Sequence, residues 1–489
     1  MTIEEQLAEV RASDTGAKVA AFFDFDGTLI DGYSAKALYA HRLKNLEIPL
    51  GEIVEIARVA RGGTPTEDEF GALLRRGIVG WSGRPVTELD ELGINLFRGG
   101  LGASLWHDMW RLVKAHQLQG HTVVIATSAT RFQVGPFARE LGVEHVVCTE
   151  LEEYDGLLTG RVVGRPPWGE GKAAAVRDLA STQGLDLAAS YAYANGDEDI
   201  PFLSIVGNPC VVNPQPELAH HAFKKDWPEL VLQRAPGQLD PKPLLRTTAM
   251  YGSLIGAGLG GVALGVLTGK RRRGIDFATS VFSHLAGAVG DVEVEIVAGE
   301  EHLWSHRPAV FLVNHQSSLI DFLVTTTVLR SGFTAVTKRE VSEIPVIGQL
   351  LTLADFAFID RADGDQARDV LRDAKDKLLA GTSVVISPEG TRSYSPQVGR
   401  FKKGAFHLAH QAGVPIIPIV IRNAGELMWR NSKVARPGSV EVVVHEPIPT
   451  AGWTKQDLDA AVVQVQELYE STLTRWPTTT QETQGAEQP

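Results

Sequence analysis

Short apolar runs alternate with longer amphipathic stretches over most of this chain. In the first half, the runs that read as buried strands lie at 18–26, 122–126, 145–148 and 190–194. Strands that alternate with helical stretches are typical of a parallel sheet with helical crossover connections. Residues 34–115 contain no comparable run and are predicted to be a helical insertion. The pattern therefore predicts an α/β domain over residues 1–230.

A second alternation of strands and helices begins near residue 292 and continues to about residue 448. Its clearest strands are predicted at 308–314 and 414–418, and they favour a second α/β domain over residues 292–475. The last residues, 476–489, contain almost no apolar side chains, so we expect a disordered tail there.

Between the two domains, residues 231–291 form a linker with a different character. Its run at 249–269 has no charge and is long enough to cross a bilayer. The glycines of this run recur at the spacing of closely packed helices, which would also allow a homo-oligomer to form through it. A second, amphipathic stretch follows at 275–290.

Composition narrows the classes of protein to consider. The chain has 489 residues, which is more than one hydrophobic core usually spans. A net charge of -12 argues against general nucleic-acid binding. The only cysteines are Cys148 and Cys210, so no disulfide framework is implied and a reducing compartment is expected. The first residues are acidic and polar, and we expect no signal peptide there.

The first domain carries a cluster of candidate catalytic residues. Asp24 and Asp26 end the first strand, and two carboxylates at this spacing point the same way. They could share a cation, or divide the roles of nucleophile and acid/base. Further candidates stand at later strand ends or at a helix start, where parallel sheets bind ligands: the Thr127 hydroxyl, the Lys172 ammonium, and the oxygen donors of 195–199, which suit Mg²⁺.

Over residues 18–228, these motifs resemble the haloacid dehalogenase superfamily, in its phosphoserine-phosphatase-like branch. The resemblance implies a Rossmann-like domain, with the insertion at 34–115 as a cap that closes over substrate. Asp24 would be the nucleophile that forms an aspartyl-phosphate, and Asp26 would protonate the leaving alcohol and then activate water. Further roles would be phosphate binding by Thr127 and Lys172, and Mg²⁺ binding by Asp24, Asp26, Asn195 and Asp199.

Two departures from that branch affect the interpretation. The branch often has an aspartate where this chain has Asn195, so the metal site loses one negative charge, which Asp197 could replace. Phosphoserine phosphatases usually carry a glutamate soon after the DxDGT motif, and none stands in LIDGYSAKAL here, which disfavours phosphoserine. The alternative is a degraded module retained for regulation or assembly.

The second domain carries a histidine, a carboxylate and several cations. His315 follows a predicted strand, and nearby Asp321 could fix its tautomer, so that the ring can take a proton from a hydroxyl. Arg361 follows a second strand, and Arg392 lies in the turn after a third. Arginines present planar donor forks suited to phosphate. A base beside a phosphate clamp suits acyl transfer to the hydroxyl of a phosphorylated alcohol.

The blocks NHQSS, FIDR, PEGTRS and VPIIPI resemble the glycerolipid acyltransferase family, closest to 1-acylglycerol-3-phosphate acyltransferases, over about 290–450. The resemblance implies an α/β acyltransferase domain that acts on lysophosphatidate and acyl-CoA. His315 would deprotonate the sn-2 hydroxyl, and Asp321 would orient His315. The expected glycerol-phosphate ligands are Arg361 and the block of Glu389, Gly390, Thr391 and Arg392.

The spacing of the catalytic pair departs from the family motif. Five residues separate His315 from Asp321, where the family has four, and one extra residue rotates a helical side chain by about 100°. Either a bulge in the turn restores the contact, or His315 is oriented in another way. We favour the bulge, because no other nearby carboxylate offers a substitute. This predicts a distance near 3 Å between His315 Nδ1 and the Asp321 carboxylate.

Three arrangements of the linker remain open. A crossing at 249–269 would separate the two domains, although both an acyl-CoA donor and a reducing site favour the cytosol. Basic residues flank the run on both sides, so the positive-inside rule does not select an orientation. A hairpin of 249–269 with 275–290 on one leaflet would keep both domains at the cytoplasmic face of the membrane, and we favour it. The third arrangement is a soluble glycine-rich core helix.

Overall fold

The computed structural model describes residues 1–45, 66–232, 241–360, 364–430 and 432–477. The chain divides into two compact units, Met1–Gln233 and Arg234–Pro489. The expected tail after residue 477 and part of the predicted cap, 46–65, lie outside the described residues.

The first unit is built on a parallel sheet of six strands in the order β3-β2-β1-β6-β7-β8. Its strands, including a separate hairpin of β4 and β5, are β1 (Ala20–Phe23), β2 (Thr122–Thr130), β3 (His145–Thr149), β4 (Leu151–Tyr154), β5 (Leu157–Val162), β6 (Tyr191–Ala194), β7 (Asn208–Val212) and β8 (Glu229–Leu230). The α-helices among its described residues are α1 (Ile3–Ala12), α2 (Ser34–Lys44), α3 (Glu67–Val79), α4 (Val86–Gly99), α5 (His107–Leu118), α6 (Arg131–Leu141), α7 (Glu170–Gln183), α8 (Ile200–Leu203) and α9 (Pro216–Lys225). Every strand pairing in this sheet is parallel, in agreement with the sequence pattern.

The cap differs from the predicted insertion in two ways: it ends earlier along the chain, and it includes a β-hairpin. Leu38, Ile78 and Leu89 from its helices form a small core with Leu158 of β5, so the β4–β5 hairpin packs with the cap helices. Helix α5, which was included in the predicted insertion, packs on α1 and β2. The apolar positions of α5 show that one face of the helix is buried, but they do not show whether the sheet or the cap covers that face.

The second unit begins with a pair of antiparallel helices. The helices and strands that the structure describes in this unit are, in chain order, α10 (Pro241–Thr268), α11 (Arg271–Gly290), β9 (Val292–Ala298), α12 (His302–Ser305), β10 (Val310–Val313), α13 (Leu319–Leu329), β11 (Phe333–Lys338), α14 (Arg339–Ser342), α15 (Ile347–Leu353), β12 (Ala357–Ile359), α16 (Gly364–Leu379), β13 (Ser383–Ile386), α17 (Gly404–Ala412), β14 (Ile416–Ile421), α18 (Ala424–Leu427), β15 (Gly438–Val444) and α19 (Lys455–Thr474).

Helices α10 and α11 approach each other at glycines. A Cβ on Gly261 would lie 2.5 Å from Gly274 O, and a Cβ on Gly274 would overlap Gly261 O, so only glycine permits this distance. On its other side the pair contributes to the core of the second unit, because Met250 and Phe282 are buried in it. The two helical stretches of the linker thus form a hairpin that belongs to the second unit.

The second sheet has seven strands in the order β12-β11-β13-β10-β14-β15-β9. All pairings are parallel except that of β14 with β15. Strand β10 lies between β13 and β14, so the segments that follow these three strands meet at one edge of the sheet. The NHQSS and PEGTRS motifs stand on the segments after β10 and β13, whereas VPIIPI contributes to β14 and FIDR reaches the end of β12 at the outer edge of the sheet.

Candidate active sites

The first site lies at the carboxyl end of β1. Phe23 pairs with Ile125 of β2 and Tyr193 of β6, and Asp24 N donates a hydrogen bond to Tyr193 O at 2.9 Å. The neighbouring strands therefore hold the Asp24 backbone in the sheet. Its side chain is buried at the sheet edge, where a parallel sheet binds its ligands.

Lys172, from the first turn of α7, joins two carboxylates in this site. Its Nζ lies 2.8 Å from Asp24 Oδ1 and 2.6 Å from Asp199 Oδ1, and all three side chains are buried. Burial lowers the pKa of Lys172, but the Asp199 and Asp24 carboxylates outweigh it and leave the pKa raised. Lys172 is therefore a permanent cation between the nucleophile candidate and a metal-ligand candidate.

Asn195 stands on the other side of Asp24. The Thr28 hydroxyl lies 3.1 Å from Asp24 Oδ2 and 3.2 Å from Asn195 Oδ1. Gly27, with φ +82°, makes room for Asn195, because a Cβ there would overlap the amide. Asp197, which could replace the charge missing at Asn195, accepts a hydrogen bond from Leu218 N at 2.8 Å in the first turn of α9. Asn195 is thus the residue of this loop that contacts the Asp24 cluster through Thr28.

Asp26 is held by a chain of hydrogen bonds that crosses into the cap. Its two oxygens accept Ser34 N at 2.6 Å and Ser34 Oγ at 3.1 Å. Gln133 Nε2 donates to Ser34 Oγ at 3.0 Å, and Gln133 Oε1 accepts Thr130 Oγ1. Burial raises the pKa of Asp26 to about 7, against the hydrogen bonds from Ser34. A carboxyl with that pKa can hold and release a proton near neutral pH.

Thr127 lies at the same sheet edge, near the end of β2. Its side chain is buried, and its Oγ1 accepts Ala129 N at 3.0 Å. In the described part of the chain, no hydrogen bond joins Thr127 to Asp24 or Lys172. Its role as a phosphate ligand stays a prediction.

The donor set of this site fits Mg²⁺. Among the described residues, no group of three or more His, Cys, Asp and Glu side chains has the geometry to hold a metal by itself. However, buried Asp199 Oδ2 has no hydrogen-bond partner in the described ranges. Burial also raises the pKa of Asp199 to about 8, although Lys172 opposes that shift. A divalent cation with oxygen ligands would satisfy that atom and relieve the excess negative charge.

The second site is centred on His315, two residues after β10. His315 Nδ1 lies 2.6 Å from Asp321 Oδ2, so the predicted contact is confirmed despite the longer spacing. The same oxygen accepts Gln316 N at 3.0 Å and Ser317 N at 2.8 Å, which folds the turn around the carboxylate. Because the carboxylate accepts a hydrogen bond from Nδ1–H, Nε2 of the neutral ring is left as the proton acceptor.

Two side chains of the same motif fasten this turn to β14. Asn314 both donates to Ile421 O and accepts Ile421 N at 2.7 Å. Gln316 accepts Gly425 N at 3.1 Å and donates to Arg422 O at 3.1 Å. The motif that identified the site therefore also contains the residues that position His315.

Glu389, after β13, holds the His315 backbone. Its oxygens accept His315 N at 2.7 Å and Gly399 N at 2.6 Å, and Ser393 N donates to His315 O at 3.0 Å. Burial raises the pKa of Glu389 to about 8, against these two N–H groups. Glu389 is thus engaged with backbone, and its predicted contact with substrate stays a prediction.

The predicted phosphate ligands of the second site differ in exposure and in their contacts. Gly390 adopts φ +72°, and a Cβ there would lie 3.1 Å from Lys402 Nζ. Thr391 is exposed, and Arg392 is partly buried with its Nη1 donating to Arg430 O. Arg361 lies outside the described residues, so its role stays a prediction.

Two family models match this chain. Residues 21–204 match haloacid dehalogenase-like hydrolases, and residues 295–422 match the acyltransferase family. Each match contains the motifs of one of the two sites.

Characterised and uncharacterised relatives match the two halves separately. The chain is 31% identical to a phosphoserine phosphatase of Mycobacterium tuberculosis, over 52% of this chain and 81% of the relative. It is 30% identical to a 1-acyl-sn-glycerol-3-phosphate acyltransferase of Saccharomyces cerevisiae, over 47% of this chain and 77% of the relative. It is 38% identical to an uncharacterised acyltransferase of Schizosaccharomyces pombe over 36% of this chain, but it spans only 63% of that relative's length.

Proposed function

Because the chain belongs to the haloacid dehalogenase-like hydrolases in its first half and to the acyltransferases in its second, we propose that it is a bifunctional enzyme of phospholipid synthesis. One activity transfers an acyl chain from acyl-CoA to the sn-2 hydroxyl of 1-acylglycerol-3-phosphate, which gives phosphatidate. The other hydrolyses a phosphomonoester. The observation that carries the proposal is the contact between His315 and Asp321 beside the Arg392 turn.

In the acyl transfer, His315 is the general base. Its Nε2 takes the proton of the sn-2 hydroxyl, and the oxygen attacks the thioester carbon of acyl-CoA. The tetrahedral intermediate then collapses, the C–S bond breaks, and the proton on Nε2 passes to the departing thiolate. Asp321 keeps the ring in the required tautomer and stabilises the imidazolium. Arg392 binds the glycerol phosphate, and Arg361 is predicted to assist it.

In the phosphohydrolase, Asp24 is the nucleophile. Its carboxylate attacks phosphorus to form an aspartyl-phosphate while Asp26 donates a proton to the leaving alcohol. Asp26 then takes a proton from the water that hydrolyses the intermediate. Lys172 offsets negative charge beside Asp24 throughout. Mg²⁺, held by Asp24, Asp199, Asn195 and the carbonyl of Asp26, would supply charge neutralisation at the phosphoryl group.

The substrate of this half is not expected to be phosphoserine, even though one relative bears that name. Tyr33 stands in the stretch where a glutamate would hold the amino group, and Gln215 Nε2 donates to its hydroxyl at 3.3 Å. Lys36 Nζ lies 5.3 Å from the centre of the Tyr33 ring. A cation at this position disfavours a substrate with an ammonium group. A phosphorylated lipid made or used by the second half is a further candidate for its substrate.

The alternative for the first half is a degraded module that regulates or assembles the acyltransferase. Its support is Asn195, which removes one negative charge from the metal site. Trapping the phosphoenzyme separates the two readings. The active enzyme, incubated with a phosphomonoester and Mg²⁺, is expected to carry an acyl phosphate on Asp24, which borohydride reduces to homoserine with release of phosphate. If Asp24 is not phosphorylated by any phosphomonoester tested, the first half is a regulatory or assembly module.

We also infer that the helical hairpin docks the second unit on the cytoplasmic face of the cell membrane. Among the described residues, one helix, Leu244–Thr268, is long and apolar enough to cross a membrane. Only 17% of its most apolar stretch is buried, so most of that stretch is available for contact with lipid. Large apolar side chains are exposed along the hairpin, including Leu259, Val266, Leu267 and Phe277. Because a lysophospholipid acceptor resides in the membrane, an exposed apolar surface of this kind would bring the active site to its substrate.

The acyl transfer is tested with labelled acyl-CoA and a panel of lysophospholipids, with His315→Ala as the blank. We expect labelled phosphatidate from 1-acylglycerol-3-phosphate and the label at sn-2. The membrane proposal is tested by proteolysis of both halves in sealed vesicles. Cleavage of both halves from the cytoplasmic side agrees with a hairpin, whereas protection of one half defeats it.

A further inference from the structure

Arg430 lies in the loop after α18 and forms a reciprocal pair with Arg392. Arg392 Nη1 donates to Arg430 O, and Arg430 Nη1 donates to Arg392 O. The Arg430 guanidinium also lies 3.8 Å from the centre of the Tyr394 ring. Two arginines on separate loops are therefore held side by side by backbone and aromatic contacts.

This pair has no anionic partner within the described ranges. No ion pair joins either guanidinium to a carboxylate there, and the buried Arg430 Nε has no hydrogen-bond partner. Burial and then Arg430 lower the pKa of Arg392, which shows that the two positive charges repel each other. Two partly buried cations without a counter-ion destabilise a fold, unless an anion binds between them.

The pair is also next to the catalytic dyad. Ser393, which follows Arg392, donates to His315 O at 3.0 Å. Asp321 favours the charged form of Arg392, so the carboxylate of the dyad and this guanidinium are electrostatic neighbours. An anion between Arg392 and Arg430 would thus lie beside the base.

We propose that Arg430 completes, with Arg392, a two-guanidinium site for a phosphate ester of the acyl-transfer substrates. Arg430 is outside the acyltransferase match at 295–422, and none of the four sequence blocks contains it. The proposal rests on the proposed acyl transfer. Its ligand is a phosphate monoester or diester oxygen, supplied by the glycerol phosphate of the acceptor or by the phosphates of acyl-CoA.

The test uses the full-length enzyme in mixed micelles and the variants Arg430→Gln and Arg430→Lys. Lys433→Gln removes an exposed cation from the same loop and is the matched control. We expect Arg430→Gln to raise KM for the lysophosphatidate acceptor about tenfold or more, with a smaller change in kcat, because a charge-assisted bond is lost. Arg430→Lys restores part of the loss, and Lys433→Gln changes neither constant.

A merely structural role for Arg430 is excluded by comparing two acceptors. With Arg430→Gln, the preference for 1-acylglycerol-3-phosphate over 1-acylglycerol falls about tenfold if the guanidinium binds the acceptor phosphate. If instead KM for acyl-CoA rises about tenfold and the acceptor preference stays, the bound phosphate is the donor's. Equal losses on both acceptors with an unchanged KM for acyl-CoA overturn the proposal.

A binding measurement keeps this test apart from the proposed reaction. Glycerol 3-phosphate and inorganic phosphate are titrated into the wild-type chain and into Arg430→Gln, and Tm is followed. The site predicts a phosphate-dependent rise in Tm that Arg430→Gln reduces and Lys433→Gln keeps. A rise of equal size in wild type and Arg430→Gln contradicts the site, even in an enzyme with no acyl-transfer activity.

Discussion

The two active sites handle charge in opposite ways. In the first, the cation Lys172 is already shared by two carboxylates, and all three groups are buried. In the second, the contacts of Arg392 and Arg430 within the described ranges are to backbone oxygens and an aromatic ring, and the His315 side chain keeps 27% of its surface exposed. The first site is thus a buried network with more carboxylates than cations, whose donors suit a divalent metal, whereas the second is an accessible base beside two arginines without a carboxylate partner among the described residues.

The difference follows from the chemistry that each site is proposed to perform. A carboxylate nucleophile has to be neutralised before it can approach a phosphate, so its counter-ion is built in. A histidine base has to reach a hydroxyl, so it stays accessible. The neighbouring arginines are proposed to bind an anionic group of the substrate. The comparison predicts that removing a charge damages stability in the first site and substrate binding in the second.

The largest effect is expected for Lys172→Met. This change leaves Asp24 and Asp199 buried without a cation, so we expect the first unit to lose about 3–5 kcal/mol of stability. Phosphomonoester hydrolysis should disappear, and acyl transfer should persist. Thermal unfolding and both assays measure this, with the exposed Lys224→Met as control. Unchanged stability would break the view of the first site as a closed network.

Asp321→Asn is expected to act on rate and leave stability nearly unchanged. An amide in place of the carboxylate removes the negative charge that stabilises the His315 imidazolium and fixes the Nδ1–H tautomer, and we expect kcat of acyl transfer to fall about 10²–10⁴-fold. The exposed Asp376→Asn is the matched control. A loss below about threefold would mean that His315 does not depend on this contact.

Ser34→Ala sharpens the comparison inside the first site. Without the Ser34 hydroxyl, Asp26 loses one of its two hydrogen bonds, and Gln133 loses its acceptor. We expect phosphohydrolysis to fall about tenfold, the equivalent of one charge-assisted hydrogen bond. The exposed Ser204→Ala controls for loss of a hydroxyl. Full activity of Ser34→Ala would show that Asp26 needs no support from the cap.

The smallest effect is expected for Gly274→Ala in the hairpin. The new Cβ would overlap Gly261 O and force the helices apart, at about 1–3 kcal/mol. We expect weaker vesicle binding and several-fold lower acyl transfer, with phosphohydrolysis unchanged. Gly256→Ala, where a Cβ meets nothing within 4 Å, should have neither effect. Equal vesicle binding by both variants would show that membrane docking does not depend on the close packing of the two helices.

Much of both sites was predictable from sequence, because their residues stand in short motifs at the ends of parallel strands. The strand pattern alone brings Asp24, Lys172 and Asp199 to one edge, and His315 and Arg392 to another. The contact of His315 with Asp321 was predictable only as a favoured alternative, since the spacing departed from the motif.

The supporting contacts were not predictable, since they join distant positions that carry no motif. Ser34, at the start of the cap, contacts Gln133 of α6, and Arg430 reaches Arg392 from a loop after the last block. Asp197 could replace the missing charge on sequence grounds, and the structure adds that its Oδ1 accepts Leu218 N in the first turn of α9, while its role as a metal ligand stays a prediction. Such contacts depend on how elements pack, which apolar periodicity does not specify.

The central claim is that one chain carries two separate enzymes, and it is tested most directly by measuring both reactions on the same preparations of Asp24→Asn and His315→Ala. The account predicts that Asp24→Asn loses phosphomonoester hydrolysis and keeps acyl transfer, and that His315→Ala does the reverse. Loss of both reactions in either variant, with the fold intact by circular dichroism, would contradict it.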